Sequence, residues 1–335
     1  MELFLCILFV VGGLLLIIKG ADWFVDSAVW IATKLKVSPV IIGATIVSVG
    51  TTLPELMVSC MSALEGRLSG DLVALQQYSG MAVGNSIGSV LCNMGVILAI
   101  AFMIKPSKIE DTSYEPKAIM LLGVLGLFAY FIWNGSTREI STVEAFILLG
   151  LFIFFIAWNV LSGIKTKVQA EETTFKHKPA TYIILFLIGA GLIALGANLL
   201  VENAEILAVD YMKINPQVVS ITILAIGTSL PELVTSVTAA RKGNVILGIG
   251  NVLGANIINL TLILSSVTFI TGSTLPIDAI TAKIIIWACV SIGVIGFLPT
   301  IIKNKTTRWQ GLTMIAIYAT AIIINILYIF EVISL

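Results

Sequence analysis

The sequence predicts an all-α membrane protein whose ten transmembrane helices form two five-helix repeats of inverted topology. Three observations carry that reading. Apolar residues make up 58% of the 335 residues and charged residues only 11%, whereas a soluble domain carries about a quarter charged residues. The apolar residues fall into runs of a length that crosses a bilayer as a helix, about twenty residues. A short motif, Gly-Thr-[Thr/Ser]-Leu-Pro-Glu-Leu, stands once in each half, at 50–56 and 227–233.

Taken in order, the first half holds runs at about 3–32, 38–64, 72–103, 118–133 and 141–163. The second half holds runs at about 180–209, 215–240, 245–271, 279–301 and 309–333. The first run does not read as a secretory signal: it lacks a basic leading segment, is too long, and has no small-residue cleavage site. The longest break, Lys165 to Pro179, separates 1–164 from 180–335. It is too short to fold as a regulatory domain, and its His177 reads as a solvated loop residue. Cys6, Cys60, Cys92 and Cys289 all sit inside apolar runs and read as packing residues rather than disulfides or a metal cluster. A net charge of zero gives no reason to expect nucleic acid as a partner.

Lysine and arginine set the orientation. Lys34, Lys36, Lys105, Lys108, Lys117, Lys165, Lys167, Lys176, Lys178, Arg241, Lys242, Lys303, Lys305 and Arg308 lie in loops after odd-numbered runs. Only Arg67, Arg138 and Lys213 lie in loops after even-numbered runs. Cytoplasmic loops are the ones enriched in Lys and Arg. The expectation is a cell-membrane protein with both termini outside and the 165–179 linker in the cytoplasm.

The repeat extends beyond the short motif. Upstream, Gly20-Ala-Asp-Trp-Phe-Val-Asp-Ser-Ala parallels Gly196-Ala-Asn-Leu-Leu-Val-Glu-Asn-Ala, and Pro39 parallels Pro216. Downstream, GNSIGSVLCN at 84–93 parallels GNVLGANIIN at 250–259. Each half has an odd number of runs, so the second half enters the membrane from the opposite side. Inverted repeats are a hallmark of secondary transporters, whose site lies at the midplane between the halves.

Glu55 and Glu232 sit deep inside their runs. An ionisable group at that depth is costly and marks a cavity or pathway. Pro54 and Pro231 lack an N–H, so the carbonyls of Gly50 and Gly227 lose their helical partners. A kink is expected beside each carboxylate, freeing carbonyls toward the interior. Thr51, Thr52, Thr228 and Ser229 add hydroxyls within a turn. Ca2+ takes six to eight oxygens, and two glutamates supply up to four of them and balance its charge. No histidine is near, which disfavours zinc and copper. Gly80, Gly84, Gly88, Gly250 and Gly254 read as helix-packing positions. Asn93 and Asn259 read as buried amides, and Asn85 and Asn251 as packing and backbone-bonding residues.

These residues resemble the cation/calcium antiporter superfamily, in its sodium/calcium exchanger branch of prokaryotic type without a regulatory domain. The likeness is strongest in the blocks at about 40–100 and 217–268, the family's alpha-repeats. The resemblance implies ten helices and four cation positions at the midplane, filled alternately by Ca2+ and Na+. It implies that Glu55 and Glu232, with the carbonyls of Thr51 and Thr228, hold Ca2+. Thr52 and Ser229 would give hydroxyls to flanking Na+ positions, joined by the carbonyls of Ser48 and Ala225 and by Ser89. Asn93 and Asn259 would line the central position, and spans 1 and 6 would slide to switch access.

The chain departs from the pattern at three site positions, and the stretch between spans 2 and 3 is longer than its second-half counterpart. Ser48 and Ala225 are equivalent positions with different side chains. Ala255 stands where Ser89 stands in the first half, which removes one hydroxyl. Asn259 stands where some prokaryotic relatives have aspartate.

The expected activity is Ca2+/Na+ antiport by a protein that works as a monomer, without a cofactor and without enzymatic chemistry. A proton could replace Na+ as the neutralising ion, which makes a proton/calcium antiporter the nearest alternative. Rivals of other classes fit less well. An inverted repeat within one chain is a poor source of the equivalent rings that build a channel filter. Small hydroxyls and glycines around the glutamates leave little to recognise an organic solute for symport. Lys19, Asp22 and Asp26, toward one end of the first run, are expected to pair or snorkel at the interface.

Overall fold

The computed structural model describes residues 2–134, 139–165, 178–207, 211–212, 225–330 and 332. His177, most of the linker and residues 215–224 of the expected seventh span lie outside the described residues. In the first half, α1 (Glu2–Leu35) precedes α2 (Pro39–Ile42), which runs through a π-helical segment (Gly43–Val47) into α3 (Ser48–Leu68). Next, α4 (Leu72–Cys92) runs through a second π-helical segment (Asn93–Leu98) into α5 (Ala99–Ile104), followed by α6 (Tyr114–Asn134) and α7 (Thr142–Lys165).

The second half holds α8 (Pro179–Ile206), α9 (Ala225–Thr228) and α10 (Leu230–Arg241). There α11 (Val245–Ile258) runs through a π-helical segment (Asn259–Ile263) into α12 (Leu264–Thr271). A last π-helical segment (Thr281–Ile285) leads into α13 (Ile286–Lys303), and α14 (Arg308–Ile329) completes the order. Among the described residues, nine helices are long and apolar enough to cross a membrane. Helices α9 and α10 lie where the remaining expected span falls. Glu139–Ile140 and Leu275–Pro276 pair as a short antiparallel ladder between the halves.

Local chemistry explains the boundaries. Pro39 needs no N–H in a first turn, and Ser38 caps that turn by accepting from the Val40 amide at 3.1 Å. Asp71 caps α4 in the same way, accepting from the Val73 amide at 3.1 Å. Gly272 closes α12 with a φ of 68°, a conformation that favours glycine. Helix α6 begins four residues before the expected 118, so Lys117 is a helical residue rather than a loop residue. Its ammonium donates to the Ser113 carbonyl at 3.0 Å and lies 5.9 Å from the Trp158 ring. Those contacts let a lysine stand inside an apolar helix.

The spans containing α4 and α11 form the centre, with 72% and 78% of their most apolar stretch buried, against 22% for α1 and α8. Helices α1 and α8 lie along each other as an outer pair. A Cβ at Gly13 would come within 2.6 Å of the Gly196 carbonyl, and one at Gly20 within 2.8 Å of the Gly189 carbonyl. Gly13 matches Gly189 in the repeat, and Gly20 matches Gly196. Exchanging the halves therefore maps one crossing onto the other, as a pseudo-two-fold axis requires. Phe24 stacks on Phe186 and Trp30 on Tyr182 along the same seam. Asp22 and Asp26 pair with Lys242, at 3.2 and 2.8 Å, and Lys19 lies 5.2 Å from the Trp23 ring.

The glycines behave differently in the two halves. Gly250 and Gly254 bring α11 onto the backbone of Val40 and Ala44, as close packing demands. A Cβ at Gly80, Gly84 or Gly88 would meet nothing within 4 Å. Gly80, Gly84 and Gly88 are therefore not packing positions. Gly84 and Gly88 instead line a cavity of about 240 Å³ walled by α3, α4 and α14, with Asn85 and Tyr318 in its lining.

Candidate functional site

Glu55 lies in mid-helix on α3, and Glu232 lies in the first turn of α10. The two prolines act differently. Helix α3 continues through Pro54, whereas the chain breaks at Ser229 (φ −90°, ψ 7°) before Pro231. The second half is thus interrupted outright, whereas the first-half proline sits within a continuous helix. The break places Glu232 at a helix N-terminus, where unpaired N–H groups favour negative charge.

Both carboxyl groups are fully buried and face one another. Each repeat reaches into the other. The Thr52 hydroxyl donates to Glu232 Oε1 at 2.9 Å, and the Thr51 hydroxyl donates to Asn251 Oδ1 at 3.1 Å. Ser86 donates to the Asn259 carbonyl at 2.7 Å. Asn93 and Asn259 are each the first residue of a π-helical segment. Such segments widen a helix locally and recur at functional sites.

Buried polar atoms are nearly always hydrogen-bonded. Among the described residues, fifteen buried side-chain nitrogens and oxygens have no partner. Nine of them belong to Glu55, Ser89, Asn93, Ser229, Glu232 and Asn259, all residues singled out from the sequence. Such a set is what a site built to surround a cation presents. Its donor chemistry is carboxylate, hydroxyl and amide oxygen, which suits hard cations.

Not every expected residue shows its side chain free for an ion. The Ser48 hydroxyl donates to the Thr45 carbonyl at 3.1 Å, so its lack of a counterpart at Ala225 removes nothing from the site. The Ser48 carbonyl accepts weakly from Thr51 at 3.4 Å. Thr228 follows Gly227 in α9, one residue before the break at Ser229; the side chain of Ala225 lies outside the described residues.

The sequence marks Cys92 only as a packing residue and does not single out Asn256, Ser59 or Ser236. Cys92 is buried with its thiol beside Ser229 and close to both glutamates. Asn256 is fully buried with both amide atoms unpaired. Ser59 and Ser236, one turn beyond each glutamate, accept hydrogen bonds from Asn85 and Asn251. Extending the repeat alignment to GTTLPELMVS and GTSLPELVTS would have found the two serines. Toward the outer pair, a narrow cleft is lined by Phe24 of α1, Ala190, Ile193 and Ala194 of α8, and Thr51, Pro54 and Pro231.

Comparison with known proteins adds three findings. The family described as sodium/calcium exchanger protein matches residues 5–161 and 181–327. Among curated proteins, an uncharacterized membrane protein of Methanocaldococcus jannaschii is 31% identical, over 92% of this chain and 94% of its own length. The sodium/calcium exchanger MaX1 of Methanosarcina acetivorans is 29% identical, over 93% and 96%. Among solved structures, the sodium-calcium exchanger NCX_Mj soaked with Na+ and Sr2+ gives a TM-score of 0.80 at 29% identity, over 96% of this chain and 98% of that one.

Proposed function

We propose, for a chain that belongs to the sodium/calcium exchanger family, a transport cycle centred on Glu55 and Glu232. The protein is a secondary antiporter that exchanges Ca2+ for Na+ across a membrane by alternating access; it is a transporter and not an enzyme. The observation that carries the residue assignment is the facing pair of fully buried carboxyl groups surrounded by polar atoms without partners.

In this reading Glu55 and Glu232 hold Ca2+ with up to four carboxylate oxygens, and the carbonyls of Thr51 and Thr228 help complete a shell of six to eight. Thr52, Ser229 and Ser89 give hydroxyls to flanking Na+ ions, with the carbonyls of Ser48 and Ala225. Asn93 and Asn259 line the centre. Two unpaired carboxylates in a low-dielectric site cost several kcal/mol each. The site therefore crosses between access states only when Ca2+ or Na+ neutralises it, and that requirement makes the process an exchange. The outer pair of α1 and α8 packs on the rest along an apolar seam of Phe24, Val25 and Ala28 against Ile42, Val47 and Ala239, and this pair is the proposed sliding unit that opens one side at a time.

The Lys and Arg distribution supports a cell-membrane orientation with both termini outside and the 165–179 linker joining repeats 1–164 and 180–335 in the cytoplasm. The proposed cycle asks for no second copy of the chain. The test is uptake of radiolabelled Ca2+ into liposomes driven by an outward Na+ gradient, with an outward proton gradient in parallel. Uptake is expected to need internal Na+ and to vanish in Glu55→Gln and Glu232→Gln. Uptake driven by protons alone, or uptake surviving both substitutions, overturns the proposed cycle.

A further inference from the structure

Two asparagines at matched positions make the same contact. Asn85 on α4 donates from Nδ2 to Ser59 Oγ at 3.0 Å, and Asn251 on α11 donates from Nδ2 to Ser236 Oγ at 3.1 Å. Ser59 and Ser236 are fully buried, each one turn beyond a glutamate on the same helix. Residues four apart share a helix face, so fixing the serine fixes the rotation of the helix that carries the glutamate.

Their remaining contacts differ. Asn85 sends a second, longer hydrogen bond to the Glu55 carbonyl, at 3.4 Å, within its own repeat. Asn251 accepts the Thr51 hydroxyl from the other repeat, at 3.1 Å. Asn251 therefore joins α10, through Ser236, to α3, through Thr51. The neighbour of Thr51 is Thr52, whose hydroxyl holds Glu232 at 2.9 Å. Fully buried Asn251 is thus a hydrogen-bonded link between the two helices that bear the carboxyl groups, while half-buried Asn85 steadies α3 alone.

We propose that Asn251 is a positioning residue that sets the separation of Glu55 and Glu232, with Ser236 as its partner, and that it tunes ion affinity without touching the ion. The proposal rests on the Ca2+-site reading given above. Ca2+–oxygen distances span only about 2.3–2.6 Å, so a loosened carboxyl pair binds less tightly even when both glutamates are present. A net neutral hydrogen bond contributes enough for about a fivefold change, and Asn251 makes two. Loss of Asn251 is expected to raise the half-saturating Ca2+ concentration about tenfold or more, with a smaller effect on the maximal rate.

The experiment measures Na+-driven Ca2+ uptake in liposomes against Ca2+ concentration. It compares wild type, Asn251→Ala, Ser236→Ala, the double variant and Asn85→Ala, each normalised to reconstituted protein. The expected result is a raised half-saturating Ca2+ in Asn251→Ala and Ser236→Ala, no further rise in the double variant beyond Asn251→Ala, and a smaller rise in Asn85→Ala. If Asn251→Ala does not fold, Ser236→Ala alone decides, because it removes the same bond through one oxygen. A lowered maximal rate with unchanged half-saturation, additive effects in the double variant, or an equal rise in Asn85→Ala overturns the proposal. A wild type that exchanges while the variants keep its affinity rejects the link alone; a wild type that does not exchange rejects the site reading and the link together.

Discussion

Thr52→Val is the sharpest test of how the repeats share a site. Thr52 is buried in the first repeat, and its hydroxyl donates at 2.9 Å to Glu232 of the second. Valine keeps the branched shape and the volume and removes only the oxygen, so the core around it has no cavity to fill. A hydrogen bond to a charged group contributes about 1.5–3 kcal/mol, and a buried acceptor left unpaired costs about as much. That range corresponds to roughly a tenfold to hundredfold change in an ion affinity. Thr52→Ser keeps the hydroxyl and serves as the control. The assay is the half-saturating Ca2+ and the half-activating Na+ for uptake into liposomes. The expected outcome is a rise in both constants for Thr52→Val and near-wild-type values for Thr52→Ser. Wild-type constants in Thr52→Val would show that the cross-repeat bond holds neither the glutamate nor an ion.

The glycines give a matched pair: Gly84→Ala is expected to leave thermal stability in detergent unchanged, because nothing lies within 4 Å of its Cβ. Gly254→Ala drives a Cβ to 2.5 Å from the Ala44 carbonyl and is expected to lower the melting temperature by several degrees, and equal shifts in the two would contradict the packing described here. Lys242→Ala breaks the contacts to Asp22 and Asp26, which are partly exposed, so a stability loss within about 1 kcal/mol is expected and a larger loss in a chemical melt would give that cluster a structural weight the geometry does not. Ala255→Ser adds the hydroxyl that Ser89 has at the matched first-half position, and on the proposed assignment the half-activating Na+ concentration is expected to fall; an unchanged value would place position 255 outside the Na+ shell.

Much of the architecture was legible because hydropathy and charge are one-dimensional signals. The expected run at 72–103 differs by a single residue from the span Leu72–Ile104. The run at 38–64 ends short of Leu68 because Glu65 and Arg67 stop an apolar count without stopping a helix. The two carboxylates were legible because charge inside an apolar run is expensive and had to be explained. Three features left less trace. A π-helical segment changes backbone pairing without changing composition, so nothing in Asn93–Leu98 or Asn259–Ile263 announced it. The glycines at 84 and 254 have the same spacing and opposite surroundings, since spacing says only that a helix can approach and not that one does. The bond from Thr52 to Glu232 spans 180 residues and becomes visible only when the repeats are packed.

The asymmetry between the repeats suits the proposed holding of one ion by two inverted halves. Strict symmetry would put Glu55 and Glu232 in equivalent settings, competing for the same hydroxyls and for the same space on the axis. The chain avoids that by continuing α3 through Pro54 and breaking before Pro231. Glu232 thereby gains a helix N-terminus and the Thr52 hydroxyl, whereas Glu55 stands in mid-helix and faces Glu232. In the proposed cycle Glu232 is therefore the more firmly held of the two carboxylates. In that proposal Glu232 is a fixed anchor that defines where the ion sits, and Glu55 is the ligand that completes the shell before α1 and α8 slide.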